Sequence, residues 1–238
     1  GRVQLMARAD PGLILANIEK HRATTLFVPP TVLYLMIEHE SARRHDYASL
    51  EYFLYGAAPI SAEKLKRAMA IFGPVMAQVY SQAEATMGLT FLRPEDHLVV
   101  GDPLREKRLA SAGRPGPLVR LEIMDDSGAP VPQGEVGEIC IKSDLVCKGD
   151  YKNPEATAAG RRDGWLLTGD CGYRDDEGFV YLVDRKRDMI ITGGFNVYPS
   201  EVEQVIYALP GFHDVAVVGA PDEKWGEAVT AIVCAPRR

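Results

Sequence analysis

The sequence has no apolar run long enough to span a membrane. Its longest apolar stretch, residues 25–37, is interrupted by Pro29 and Pro30, whereas a membrane helix needs roughly 20 apolar residues. Internal repeats and low-complexity segments are also missing, which excludes solenoids and repeat arrays. We therefore expect a globular chain with no membrane span.

The chain also has no excess of basic over acidic residues. The chain carries 27 Lys and Arg against 33 Asp and Glu, which gives a net charge of -6. Nucleic acids and anionic membranes attract basic surfaces, so we expect no nucleic-acid partner. Any phosphate group must then be bound by a few local residues.

Cysteine is scarce, and no two cysteines form a C-x-x-C pair. Such spacing indicates neither a zinc site nor a disulfide framework, which favours reduced thiols and a cytoplasmic location. Residues 1–6 include no initiator Met and no signal-peptide pattern, so we expect the sequence to be part of a longer protein. The four cysteines are Cys140, Cys147, Cys171 and Cys234.

Helix and strand signals alternate over residues 1–109, which predicts an α/β region. The clearest unit has strands at Tyr52–Tyr55 and Val75–Tyr80, joined by a helix that Ser61 caps. Such a crossover predicts parallel strands. Open α/β sheets bind ligands beyond the carboxyl ends of their strands, where the turn Gly56–Pro59 and the segment Ser81–Glu84 follow.

Short strands separated by turns replace this pattern over residues 110–184. The turns Asp125–Gly128 and Asp175–Gly178 contain residues that bond their own backbone or accept positive φ. We predict a mostly antiparallel, β-barrel-like region. Its expected strands are Val119–Met124, Gly137–Lys142 and Phe179–Val183.

Residues 189–238 predict the start of a small, truncated α+β domain. Two short apolar segments flank Gly193 and Gly194 as in a hairpin, and Pro199 begins a helix. Strands at Val215–Val218 and Ala228–Cys234 follow. The helix is expected to place one apolar face on the domain, formed by Val202, Val205, Ile206 and Leu209.

Two charged residues of the β-rich region are candidates for sugar binding. Asp170 follows Thr168 and Gly169, and a carboxylate with two acceptor oxygens suits the adjacent hydroxyls of a ribose. Arg185 lies across one expected hairpin, within reach of the same sugar or of a phosphate. Taken singly, the first also fits a plain turn and the second a solvated charge run.

Three further sites are equally ambiguous when each is taken alone. Glu84 suits the one-carboxylate binding of Mg²⁺ beside ligand phosphates, or is a solvent-facing loop residue. Tyr80 suits stacking on a base, or core packing. Gly193 and Gly194 allow a ligand to approach the backbone closely, or simply form a turn.

Taken together, these motifs resemble the adenylate-forming superfamily of AMP-binding enzymes, which contains acyl-CoA synthetases, luciferases and peptide-synthetase adenylation domains. The resemblance covers nearly the whole chain and follows the family's motif order. Gly137–Ile139 with residues 149–157 resembles G-E-[IL]…G-Y-x-x-x-P-E-x-T. The other matching segments are Gly56–Pro59, Tyr80–Glu84 (Y-G-x-T-E in the family), Trp165–Asp170 and Asp184–Glu203.

The resemblance implies a large domain ending near residue 184, a hinge at residues 185–188 centred on Arg187, and a small domain from residue 189. It implies ATP or AMP, Mg²⁺ and CoA as ligands. Asp170 and Arg185 would hold the ribose, and Glu84 would bind Mg²⁺. The other implied nucleotide-binding residues are Gly56, Ala57, Ala58, Tyr80, Ser81, Gln82 and Ala83, with Tyr80 stacked on adenine.

The implied chemistry is the two-step activation of a fatty or aromatic carboxylic acid. The acid and ATP give an acyl-adenylate, and a thiol, that of CoA, then displaces AMP while Gly193 and Gly194 face the pantetheine tunnel. The small and apolar residues of Ala85–Phe91 fit an apolar acid. The alternatives are an adenylation domain that loads a carrier protein and a non-catalytic scaffold on the same fold.

Several departures from the family pattern accompany the resemblance. Ala83 replaces the usual Thr, Ser81 the usual Gly, and Arg187 the usual Asp or Lys of the hinge. The family's phosphate loop and its late catalytic Lys are not among these residues, and no G-x-x-x-x-G-K-[ST] loop replaces the former. We therefore expect the chain alone to be an inactive part of an acyl-CoA synthetase, with no catalytic residue of its own.

Overall fold

The computed structural model describes residues 1–58, 60–99, 101–207, 209 and 214–234. These form two compact units. Unit 1 holds residues 1–119, 143–148 and 177–180, and unit 2 holds residues 120–142, 149–176 and the described residues from Tyr181 onward. Among the described helices, none is long and apolar enough to cross a membrane. The predicted large domain (1–184), hinge (185–188) and small domain (189–238) stay a prediction.

Unit 1 is organised on a five-stranded sheet in the order β1-β2-β3-β4-β5. β1, β2 and β3 are parallel, and β4 and β5 are antiparallel to their neighbours, which confirms the predicted α/β class and its βαβ unit. The strands are β1 (Thr25–Val28), β2 (Tyr52–Gly56), β3 (Met76–Gln82), β4 (Ala85–Leu92) and β5 (Arg114–Pro115). The helices are α1 (Pro11–His21), α2 (Pro30–Glu38), α3 (Ala62–Phe72) and α4 (Pro103–Glu106), with 3₁₀ turns at Pro94–His97 and Lys107–Ala110.

Local sequence signals account for the helix ends of unit 1. The Asp10 carboxylate accepts the Leu13 N–H at 2.8 Å, and the Ser61 hydroxyl accepts the Lys64 N–H at 3.3 Å, so both α1 and α3 begin at side-chain caps. α3 ends at Gly73, whose φ is 88°. The helices pack on the sheet around fully buried side chains, which include Leu15, Leu33 and Leu65 of the helices and Phe53 and Met76 of the strands.

The strand β4 was not foreseen from the sequence. Residues Ala85–Phe91 were expected only to border an apolar pocket, but they form a strand antiparallel to β3 after a two-residue turn at Ala83 and Glu84. Leu89 and Thr90 are fully buried. The sheet is therefore mixed, and its parallel part ends at β3.

Unit 2 contains an antiparallel sheet in the order β10-β9-β7-β6, with β8 paired to β9, and a four-stranded sheet in the order β12-β11-β14-β13. Across the described strands the first sheet is open, with β10 and β6 at its edges, rather than closed into a barrel. The strands are β6 (Arg120–Met124), β7 (Gly137–Lys142), β8 (Arg161–Arg162), β9 (Trp165–Arg174), β10 (Val180–Arg185), β11 (Ile190–Thr192), β12 (Phe195–Val197), β13 (Asp214–Asp222) and β14 (Gly226–Cys234). The helices are α5 (Pro154–Ala159) and α6 (Pro199–Tyr207), with a 3₁₀ turn at Lys186–Asp188.

The predicted hairpin and helix of the C-terminal sheet are present. Val202 and Ile206 of α6 pack against Ile190, Val215 and Val217 of the sheet. The apolar face predicted for this helix is wider than the face that α6 buries. Val205 is 66% exposed and Leu209 is also exposed, because α6 ends at Tyr207 and a sheet covers only one side of a short helix.

Candidate functional site

Asp170 and Arg185 meet across two neighbouring strands. Asp170 lies within β9 and Arg185 ends β10, which pairs with β9. The Arg185 Nε lies 2.9 Å from the Asp170 Oδ1, and the side chains are 53% and 8% exposed, respectively. The proximity expected from the sequence is therefore present: a buried carboxylate is paired with a guanidinium that reaches solvent.

Asp170 belongs to a bulge in β9. On one side of the bulge Glu138 pairs with Cys171, and on the other Cys140 pairs with Leu167. The single residue Ile139 of β7 therefore faces Thr168, Gly169 and Asp170. Bulges re-aim side chains next to functional sites.

Side chains replace the ladder hydrogen bonds within this bulge. The Thr168 hydroxyl donates to the Ile139 carbonyl at 2.7 Å and accepts the Asp170 N–H at 3.1 Å. The Gly169 N–H donates to the Glu138 Oε1 at 3.0 Å, and the φ of Gly169 is 69°, a left-handed conformation that favours glycine. The Thr-Gly-Asp order thus supplies a hydroxyl, a permissive backbone and a carboxylate in sequence.

A second carboxylate lies directly behind this bulge. Glu138 is buried, and its Oε2 accepts a hydrogen bond from the Lys186 Nζ at 2.9 Å. The same ammonium lies 2.7 Å from the Asp126 Oδ1, an exposed carboxylate. Burial lowers the pKa of Lys186, but the hydrogen bonds that its ammonium donates to Asp126 and Glu138 outweigh this effect and leave the pKa raised. Glu138 had no assigned role in the sequence analysis, although it stands in the motif Gly137–Ile139.

The predicted hinge segment is a short, exposed turn. Arg187 is 84% exposed and its Nε lies 3.5 Å from the Asp188 Oδ1. Just before it, the Asp184 Oδ2 accepts the Ser200 N–H at 2.9 Å, and the Ser200 hydroxyl donates to the Val183 carbonyl at 2.6 Å. The start of α6 is therefore tied to the end of β10, and a hinge function for Arg187 stays a prediction.

In unit 1, the predicted adenine residues lie at the ends of adjacent parallel strands. Gly56 of β2 is paired with Val79, the residue before Tyr80. A Cβ on Gly56 would lie 2.3 Å from the Val79 carbonyl oxygen, so only glycine fits there. Ala57 adopts a φ of 70°, a strained conformation of the kind that collects at binding sites. Ala58 is exposed, and Pro59 lies outside the described residues.

The segment after Tyr80 forms a hairpin rather than a loop. Ser81 and Gln82 still belong to β3, with a register shift between Tyr80 and Gln82, and Gln82 pairs with Ala85. Ala83 and Glu84 form the exposed two-residue turn. Tyr80 itself is buried.

Glu84 is held in place through its backbone. Its carbonyl accepts the Cys147 N–H at 2.7 Å, while the residue is exposed at the hairpin tip. Within the ranges that the structure describes, no group of three or more His, Cys, Asp or Glu residues is arranged to hold a metal ion. A single exposed carboxylate fits Mg²⁺ that is bound mainly by water and ligand phosphates.

Gly193 and Gly194 form the tight turn between β11 and β12. Thr192 pairs with Phe195 across them, and their φ values are 56° and 85°, as the predicted hairpin requires. A Cβ on Gly193 would lie 2.7 Å from the Trp225 ring, whereas a Cβ on Gly194 would meet no atom within 4 Å. Gly194 therefore leaves open space above the turn.

Two models of one enzyme family match this chain. The family model "AMP-binding enzyme" matches residues 1–151, and the model "AMP-binding enzyme C-terminal domain" matches residues 201–238. The chain belongs to the AMP-binding enzyme family.

Relatives of this AMP-binding chain include ligases for fatty and aromatic acids. It is 46% identical over 233 residues to a medium/long-chain-fatty-acid–CoA ligase of Mycobacterium tuberculosis, covering 98% of this chain and 40% of that protein. It is 39% identical to a feruloyl-CoA synthase of an Amycolatopsis species, and the match covers 98% of this chain and 46% of that protein. The chain thus spans less than half the length of these relatives.

A solved structure shares the fold. The amide bond synthetase of Marinactinospora thermotolerans is 39% identical, with a TM-score of 0.84, and the match covers 96% of this chain and 46% of that one. The mixed α/β architecture with parallel and antiparallel sheets is therefore that of adenylate-forming enzymes.

Proposed function

We propose that this chain supplies the ribose-binding part of an AMP-forming ligase that joins a carboxylic acid to the thiol of CoA. The observation that carries the proposal is the ion pair between Arg185 and the buried Asp170 on the bulge of β9. The likeness to CoA ligases for fatty and ferulic acids supports the reaction class.

The ribose would be held by this pair. The Asp170 carboxylate accepts hydrogen bonds from adjacent sugar hydroxyls, and the Arg185 guanidinium, which has five N–H donors, contacts a sugar oxygen or a phosphate. The bulge that carries Asp170 is fixed by Thr168 and Glu138. The carboxylate is therefore oriented before the nucleotide arrives, which reduces the ordering cost of binding.

The base would lie beside Tyr80 in unit 1. Support comes from the pairing of Gly56 with Val79, which brings the Gly56–Ala58 turn next to the end of β3. Ser81, Gln82 and Ala83 continue the same segment. When bound, Mg²⁺ neutralises phosphate charge, and Glu84 would be its protein ligand.

The reaction has two steps. In the first, a carboxylate oxygen of the acid attacks the α-phosphorus of ATP, the bond to the bridging oxygen breaks, and pyrophosphate leaves. In the second, the thiolate sulfur of CoA attacks the acyl carbon, and AMP leaves with the electrons of the acyl–oxygen bond. Asp170 and Arg185 would hold the nucleotide through both steps, so their contribution is orientation. Gly194 would give the pantetheine arm room to approach.

The acid would be a fatty or aromatic carboxylic acid. β4, with its buried Ala85 and Leu89, would contribute to an apolar pocket. A panel of aliphatic and aromatic acids, tested for acid-dependent pyrophosphate release by a ligase that contains this chain, would identify the class. Release with short polar acids alone would contradict the assignment.

The 238 residues by themselves would bind AMP and not form acyl-adenylate, since they span less than half the length of the relatives. Titration with AMP, followed by nuclear magnetic resonance, tests the first statement. Incubation with ATP, Mg²⁺ and the acid panel tests the second. Pyrophosphate release above the rate of an Asp170→Asn control would overturn it.

The alternative functions differ in the group that accepts the acyl chain from the acyl-adenylate. A carrier-protein thiol would replace CoA in an adenylation domain, and the likeness to an amide bond synthetase adds an amine as a third acceptor. Offering pre-formed acyl-adenylate with CoA, a phosphopantetheinylated carrier protein or an amine to the ligase discriminates them. A non-catalytic scaffold would transfer the acyl group to none of them.

A further inference from the structure

Glu138 contacts the immediate neighbours of both proposed ribose residues. Its Oε1 accepts the N–H of Gly169, the residue before Asp170, at 3.0 Å. Its Oε2 accepts a hydrogen bond from Lys186, the residue after Arg185, at 2.9 Å. A single buried carboxylate thus joins the two strands at the positions that present Asp170 and Arg185.

The contact with Gly169 replaces a missing ladder bond. Because three residues of β9 face one residue of β7, Gly169 has no paired residue on β7, and an N–H that is shielded from water without a hydrogen-bond partner costs free energy. A carboxylate acceptor makes a charge-assisted bond, which is stronger than a bond between neutral groups.

The contact with Lys186 provides the countercharge. Only 8% of the Glu138 side chain is exposed, and a buried carboxylate without a cation is strongly unfavourable. Lys186 follows Arg185 directly, so the same ion pair also fixes the end of β10. Removal of the charge of Glu138 or of Lys186 is therefore expected to displace both Asp170 and Arg185.

We propose that Glu138 is a positioning residue for the nucleotide site, which sets Asp170 through Gly169 and Arg185 through Lys186. This inference rests on the proposed ribose-binding function. It further implies that a change at Lys186 alters nucleotide affinity without touching the nucleotide, because Lys186 shares Glu138 with the bulge.

The test uses the whole chain with the variants Glu138→Gln, Lys186→Met and their combination. Glu138→Gln keeps the shape of the side chain and removes its charge, and Lys186→Met keeps the apolar stem and removes the ammonium. Asp126→Asn is the matched control, since it removes the exposed partner of the same ammonium. Each variant is measured for AMP affinity, thermal unfolding and hydrogen exchange of the Gly169 amide.

We expect each single variant to weaken AMP binding about tenfold, in keeping with the loss of a charge-assisted hydrogen bond. The double variant should be no weaker than the worse single variant, because each single variant already breaks the ion pair between Glu138 and Lys186. Asp126→Asn should change the affinity less than about twofold. In parallel, Gly169 exchange should be slow in the parent chain and faster in both single variants.

Two results would overturn the inference. One is a loss of thermal stability in Glu138→Gln with AMP affinity and Gly169 exchange unchanged, which describes a purely structural residue. The other is additive effects of the two single variants on AMP affinity, which describes independent contacts.

Failure of the ribose proposal gives a different pattern. In that case neither the parent chain nor its Asp170→Asn variant responds to AMP. The Gly169 exchange rates still decide whether Glu138 holds the bulge: unchanged exchange in Glu138→Gln rejects that role, and faster exchange supports it.

Discussion

The Nε of Arg185 lies 2.9 Å from the Oδ1 of Asp170, although the two residues come from different strands. The carboxylate is buried and the guanidinium is half exposed, so the pair points its cation toward solvent. Because the guanidinium keeps N–H groups exposed to solvent, this ion pair is able to contact a polar ligand.

Asp170→Asn should weaken AMP binding at least tenfold. The amide keeps the size of the side chain but replaces one acceptor oxygen with a donor, and it loses the charge that pairs with Arg185. Calorimetric titration of the chain with AMP measures the change. Asp176→Asn, in the exposed turn before β10, is the matched control and should bind AMP as the parent does. Equal affinity of both variants would contradict the ribose assignment.

Arg185→Lys should also reduce AMP affinity, because a lysine supplies a point charge in place of a planar fork of donors. We expect a smaller loss than for Asp170→Asn, since the cation is retained. The same titration measures it. A Lys variant that binds as tightly as the parent would show that only charge, and not geometry, matters at this position.

The stability of unit 1 should fall with acidity because of His97. The Tyr55 hydroxyl lies 2.9 Å from the His97 Nε2, and the His97 Nδ1 lies 2.8 Å from the Arg93 carbonyl. The carbonyl only accepts, so Nδ1 carries the proton and Nε2 accepts from Tyr55. Burial lowers the pKa of His97 below its ordinary value of 6.5, although the Arg93 hydrogen bond and nearby carboxylates partly oppose it.

The neutral form of His97 is therefore the folded form. Its contribution to stability is fully present above pH 6.5, the unfolded value, and is lost as the pH falls through that value toward the lowered pKa of the folded state. Urea unfolding at pH 7.5 and pH 5.5 measures this. His97→Gln should be less stable at pH 7.5 but lose less on acidification, and an equal loss in both proteins would contradict the prediction.

Gly113→Ala should be among the most damaging single changes in unit 1. A Cβ at Gly113 would lie 2.0 Å from the backbone of Phe91, and the φ of Gly113 is 86°. We expect a loss of at least about 3 kcal/mol in unfolding free energy, or failure to fold. Gly101→Ala is the control: its φ is 91° but its Cβ would meet no atom within 4 Å. Backbone strain alone there should cost about 1–2 kcal/mol, as measured by urea unfolding.

Thiol reactivity should divide the cysteines into two pairs. All four are thiols outside any disulfide, with Cys140 and Cys171 buried and Cys147 and Cys234 exposed. Burial, with a contribution from the Glu138 charge, raises the pKa of Cys140 to about 12 and that of Cys171 to about 11. Because the thiolate is the reactive form, a disulfide reagent at pH 8 should titrate only the exposed pair quickly. Denaturant should release the other two, and fast reaction of all four in the native chain would contradict the burial.

The sequence predicted the parts of the site that depend on local order. The cap at Ser61, the βαβ unit and the Gly193–Gly194 turn are set by a few neighbouring residues, and the structure confirms them. The approach of Arg185 to Asp170 was also expected, because a single hairpin joins their strands.

Features that depend on strand register were missed. The bulge around Gly169 exists only relative to β7, and no pattern within Trp165–Asp170 reveals how many of its residues face Ile139. For the same reason Glu138 had no expected role, and Lys186 was indistinguishable from the rest of a charge run. β4 was missed because its small apolar residues also fit a loop that lines a pocket.

The bulge of β9 has a further consequence for how the strand tolerates change. Between the paired positions that flank it, β7 contributes one residue and β9 contributes three, so β9 has gained an even number of residues. Side chains alternate between faces with a period of two, so Leu167 and Cys171 still point to the same face of the sheet. A bulge of this kind is inserted without inverting the rest of the strand. Shortening β9 by two residues here would remove the bulge that carries the proposed ribose-binding carboxylate, while the faces on either side kept their order.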